Sequence, residues 1–161
     1  MSEIGDRLDE LGIALPEPMR APTGVSFRFD LVRVHGDLAH LSGHGPVDGD
    51  RTLATGKVGA DLDAGEAAAA ARAVGLAMLA SLREEIGDLD RVDGWIRAFG
   101  MVNCAPGFNA MPAVINGFSE LIGEIWGPRG HHARSAIGVA ELPFDWPVEI
   151  EAVVSLRSGP S

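Results

Sequence analysis

Two charged side chains stand inside apolar alternations: Arg134 in "ARSAIGV" and Glu149 in "VEIEAVV". On an extended chain Arg134 shares its side with Ala136, Gly138 and Ala140, and points away from Ala133, Ser135, Ile137 and Val139. Small neighbours leave room before a guanidinium, whose forked donors suit a carboxylate or phosphate. Glu149 faces away from Val148 and Ile150, on the side of Glu151, where a carboxylate orients water or takes a proton. The ordinary alternatives are an arginine at a strand end and a solvated outer face. Neither residue decides between these readings by itself.

Other reactive side chains form weaker patterns. His131 and His132 are adjacent, so on a strand they diverge, while His35, His40 and His44 lack the spacing of a ligand set; no metal site is expected. "SGHGP" at 42–46 leaves backbone groups open to a small polar ligand, though short glycine loops are common. Cys104 follows Asn103 with no basic partner nearby in sequence, which suits a structural thiol better than a nucleophile. The chain holds no Walker loop, dinucleotide-binding fingerprint or GxSxG elbow.

Composition narrows the classes. With 161 residues the chain fits one domain, and its formal net charge of -10 opposes binding to phosphate backbones and anionic membranes. A single cysteine excludes an internal disulfide framework. "MSEIGDRLDELGIALPEP" has neither a basic nor an apolar leader region, and no apolar run approaches a membrane span, so a soluble cytoplasmic protein is expected.

These residues need elements to hold them. Ile4, Leu8 and Leu11 predict a short helix over 3–11 closed by Gly12, within an N-terminal arm over 1–20. Val25, Phe27, Phe29 and Leu31 alternate as a strand, with a slip at Val32 and Val34 that suggests a bulge. "HGD" turns the chain into "LAHLSG", and residues 45–59 read as loop with at most a short edge strand. The main helix begins at Asp63, with Glu66 at capping-box spacing, carries a stripe through Ala71, Val74, Met78, Leu82 and Ile86, and ends at Gly87. In "RVDGWIRAFGMVNCA", Val92, Ile96, Ala98 and Val102 alternate against Trp95, Phe99 and Met101. A helix over about 109–126, with Asn109 as a plausible cap, and strands over about 133–141 and 148–156 complete the chain. This order predicts an α+β fold with two helices on one face of a mixed sheet. Trp95, Phe99 and Met101 would then leave the other face too apolar for water, which points to a homo-oligomer packing sheet on sheet.

"LSGHGPVDG", "VNCAPGFNAMPAVINGFSELIGEIWG" and "ARSAIGVAELPFDWPVEIEAVV" together resemble the Rid family, the reactive intermediate (enamine/imine) deaminases, also called the YjgF family and formerly endoribonuclease L-PSP. The resemblance runs from about Ala21 to Val154 and points to a longer-chain branch. It implies a single chorismate-mutase-like domain over 21–156 with a 157–161 tail, and a homotrimer with sites in the clefts between subunits. It also implies cofactor-independent hydrolysis of 2-imino acids to 2-keto acids and ammonia, on a small-molecule carboxylate and without nucleic acid or membrane. By position, Arg134 matches the arginine that clamps the substrate carboxylate and Glu149 the glutamate that positions water. Asn116 matches an asparagine bordering the site, and Ser42 and Gly43 match the loop lining it. Phe29 falls where better-known members often carry a lid tyrosine, Ala136 where they usually carry cysteine, and His44 where glutamine is usual. A non-enzymatic protein that binds or senses small carboxylates through the same arginine is the main alternative. Endoribonuclease activity, the third reading, sits poorly with the net charge.

Overall fold

The computed structural model describes residues 2–157; residues 158–161 of the expected tail lie outside the described part. Helix α1 (Glu3–Glu10) is capped by Ser2 and buries Ile4 and Leu8 in the main core. The arm is therefore part of the fold. Asp90 fastens its start, accepting from the N–H groups of Glu3 and Ile4, each at 2.7 Å. Three helices, not two, pack on the sheet.

Helix α2 (Ala64–Ile86) starts with both halves of the expected capping box: Asp63 accepts from the Glu66 N–H at 2.8 Å, and Glu66 accepts from the Asp63 N–H at 2.9 Å. Gly87 ends it at φ 83. At 23 residues, α2 is long and apolar enough to cross a membrane, contrary to expectation; here it is the core helix, with Ala67, Ala71, Val74, Met78 and Leu82 buried. Helix α3 (Met111–Trp126) lies against it and buries Val114, Phe118, Leu121 and Ile125. Their approach is so close that a side chain on Gly117 would overlap the Ala68 backbone. Asn109 does not cap α3; Ala110 holds that position, and Pro112 in the first turn removes an N–H that would lack a partner.

The helices cover one face of a five-stranded sheet ordered β1 (Val32–His35), β2 (Leu38–His44), β7 (Val148–Leu156), β5 (Val92–Asn103), β6 (Ala133–Val139). Among the described strands of this sheet only β5 and β6 run parallel, joined through α3. β3 (Val47–Asp48) and β4 (Arg51–Thr52) form a separate hairpin where loop with at most one short edge strand was expected.

Two strand readings need correction. The strand expected from Val25 begins only at Val32. Beyond Leu41, β2 bulges as it pairs with β7, so residues 25–31 have no regular neighbour. They form an irregular segment in which Phe27 and Phe29 stack at 5.1 Å. In β5, irregularities between Val92 and Gly94 and between Trp95 and Arg97 reset the alternation. Trp95 turns to the helices, 3% exposed, edge-on to Phe118 and Trp126, whereas Ile96 is 44% exposed. Phe99 and Met101 remain on the open face with Ile137, so that face keeps its apolar character without Trp95.

Candidate active site

Arg134 and Glu149 lie on opposite faces of the sheet. Arg134 pairs with Ala98, a helix-side position, and its guanidinium reaches α3. Glu149 pairs with Met101 on the open face. A single chain therefore presents two half-sites and does not bring the expected pair together.

The first half-site is built on β6 and α3. Arg134 Nη1 donates to Asn116 Oδ1 at 2.9 Å and to Ser119 Oγ at 3.0 Å, and Nη2 donates to the Pro112 carbonyl at 3.3 Å. A guanidinium has five N–H groups; these bonds use three and leave two without a protein partner among the described residues, enough for a bidentate grip on a carboxylate. Ala136 and Gly138 continue the same face of β6, and Cys104 Sγ lies over Gly138, where a Cβ would come within 2.9 Å. Burial raises the Cys104 thiol and nearby Lys57 only partly offsets it, so it stays protonated and packs as a structural group.

Sequence reasoning missed two members of this half-site. Ser119 follows Asn116 by three positions on α3, and His132 precedes Arg134 by two on the extended chain, so helical and strand spacing could have found both. Ser119 Oγ and His132 Nε2 are 2.9 Å apart, and His132 Nδ1 lies 2.7 Å from the Gly130 carbonyl. Together with Arg134, Gly130 and His131 they line an open depression of about 280 Å³.

The second half-site is built on β2 and β7. Ser42 is fixed three ways: its N–H donates to the Leu31 carbonyl at 2.9 Å, its hydroxyl to the Asp30 carbonyl at 2.7 Å, and its own carbonyl accepts from His44 Nδ1 at 2.6 Å. Buried Ser81 on α2 holds the other side of the His44 ring, Oγ to Nε2 at 3.0 Å. Gly43 sits directly against the Glu149 carboxylate, and any Cβ there would overlap it. Burial, then Glu151, raises the Glu149 carboxyl above its ordinary range, with no hydrogen bond opposing the shift. Phe29 flanks Asp30 beside this loop and is 55% exposed. Ser42, Gly43 and Glu149 thus gather in one half-site with Phe29 at its edge, and Arg134, Asn116 and Ala136 in the other. Among the described residues no three His, Cys, Asp or Glu side chains group as metal ligands.

Fold and site together define a class. Residues 6–148 match the family described as "YjgF/chorismate_mutase-like, putative endoribonuclease", and the chain belongs to it. Among individual relatives, Protein TCP17 of Trypanosoma cruzi is 38% identical over 157 residues, covering 96% of this chain and 95% of that protein. The solved structure of Atu1372 from Agrobacterium tumefaciens, of unknown function, is 35% identical with a TM-score of 0.86, covering 96% of this chain and 93% of that one. A Shewanella oneidensis structure bearing the same endoribonuclease label is 27% identical with a TM-score of 0.87, covering 95% and 99%.

Proposed function

We propose that the protein hydrolyses small 2-imino acids, or the enamines that tautomerise to them, to 2-keto acids and ammonia. The observation that carries this reading is the pre-oriented Arg134 fork, held by Asn116, Ser119 and Pro112 with two donors left over. Because Arg134 and Glu149 sit on opposite faces of one chain, the working site forms between copies, with Arg134 from one and Glu149 from its neighbour in a homotrimer. The apolar positions Phe99, Met101 and Ile137 on the open face supply a surface for that assembly.

Chemistry follows from the two half-sites. Arg134 grips the carboxylate and fixes the neighbouring C=N carbon. A water held by Glu149 attacks the carbon of the protonated imine as the C=N π electrons move to nitrogen, and the water's proton passes to the carboxylate. Glu149 returns that proton to the aminol nitrogen, and as the C–N bond breaks to release ammonia the hydroxyl gives up its proton and the C=O of the keto acid forms. Burial suits Glu149 to this role, because a carboxyl raised from its ordinary range takes and returns a proton closer to neutrality. A protonated imine is already electrophilic, so the reading asks for positioning and proton transfer and for no cofactor.

Arg134→Ala tests it. With 2-iminopropanoate generated in situ by an amino-acid oxidase, the variant loses roughly 10²–10³-fold in kcat/KM, the size expected for a lost bidentate charged pair. Wild-type rates in that variant would sink the assignment. A carboxylate sensor would bind pyruvate through Arg134 yet never speed ammonia release. RNA cleavage runs against the net charge of -10.

A further inference from the structure

Arg134 is useful only in the orientation that leaves its free donors outward, and one of the three contacts that hold it, Ser119, traces back to a backbone carbonyl at a distance. The Gly130 carbonyl can only accept, so His132 Nδ1, 2.7 Å away, carries the ring hydrogen. In the neutral ring Nε2 is then an acceptor, and the Ser119 hydroxyl 2.9 Å away must donate to it. With its hydrogen committed, Ser119 Oγ turns its lone pairs to Arg134 Nη1 at 3.0 Å. All three bond directions follow from the first.

We infer that Ser119 and His132 are positioning residues, forming a Gly130–His132–Ser119 relay that locks the Arg134 guanidinium for carboxylate binding only while His132 is neutral. The inference deepens the deaminase reading and rests on it for the ligand's identity.

Protonation breaks the relay. Nε2–H would then point at Ser119 Oγ, which would face two donors while its own hydrogen lost its acceptor. Arg134 and His131 are the charged or titratable groups acting on the ring, and both oppose a proton there. From α3 the ring meets the Ser119 hydroxyl and the edge of Phe118, at 5.6 Å between centroids. Burial is the largest influence and acts in the same direction, the Gly130 carbonyl bond opposes it, and the balance lowers His132 from its ordinary value. The clamp therefore holds at neutral pH and loosens on acidification.

Kinetics and NMR test this together. Ser119→Ala and His132→Leu should each raise KM for 2-iminopropanoate, and Kd for pyruvate, about 10-fold at pH 7.5 with little change in kcat. Ser119→Thr should restore most of the loss. His132→Gln, which supplies an acceptor that does not titrate, should recover most of the binding lost in His132→Leu and abolish the acid limb of KM. Imidazole ¹⁵N shifts should place the hydrogen on Nδ1, and rotation about the Arg134 Cζ–Nε bond should quicken in Ser119→Ala. Hydrogen on Nε2, unchanged rotation, or an acid limb surviving in His132→Gln would overturn the inference. It fails separately from the deaminase reading: a wild type that neither hydrolyses imines nor binds pyruvate removes the latter, while tautomer and rotation still decide the relay.

Discussion

At the scale of the residue, Gly43 and Glu149 show how one missing methyl group sets a carboxylate's environment. The glycine lets Glu149 lie flat against the backbone, where burial raises its carboxyl. Gly43→Ala would push that carboxylate into water. Its pKa would return toward the ordinary range, so on the proposed mechanism the acid limb of kcat, where activity falls as Glu149 takes its proton, would move to lower pH. If Glu149 holds the water and Arg134 the carboxylate, as proposed, kcat should fall by about 100-fold while KM changes little; a pH profile of steady-state rates reads both. Arg134 was legible in sequence because its neighbours on one side are all small. Its supports Ser119 and His132 were obscured, because a serine on a helix and a histidine beside another histidine carry no signal until strand and helix are brought together.

At the scale of the element, the His44 ring ties the bulge of β2 to α2, with Ser42 on one side and Ser81 on the other. Burial lowers His44 to about 4, against an ordinary 6.5. Its folded pKa lies below its unfolded one, so the unfolded chain binds the extra proton first. The stability His44 contributes is complete above about pH 6.5 and is lost as pH falls toward about 4. The loss between pH 7.5 and pH 5 should be about 2 kcal/mol, read by urea unfolding at both values, and His44→Gln should flatten that difference. The helices were legible because capping box, stripe and closing glycine agree at α2. The strands were less so: period-2 alternation says nothing about where a bulge resets it. Trp95 and Ile96 therefore exchanged faces, and residues 25–31 alternate like a strand with no regular neighbour to pair with.

At the scale of the whole molecule, the two half-sites make a claim about copies. If a site takes Arg134 from one subunit and Glu149 from the next, two inactive variants must complement each other. Arg134→Ala and Glu149→Gln, unfolded and refolded together in equal amounts, should regain roughly a quarter of wild-type activity, the share of interfaces that random assortment leaves intact. No recovery would overturn a site shared between copies. The charge pattern of the motif was readable from sequence, but the face on which each residue lands is a property of the sheet. Strand order carries a further consequence. β7 is the last strand along the chain, yet it lies between β2 and β5, with β1 and β2 on one side and β5 and β6 on the other. During synthesis, everything through residue 147 leaves the ribosome as two separate ribbons that share no ladder. α2 and α3 can pack on each other before then, but their cover by one continuous sheet awaits residues 148–156, a late, long-range step of the kind that slows folding and lengthens the time apolar surface stays open to chaperones. The strand that carries Glu149 is also the one that commits the chain to its fold.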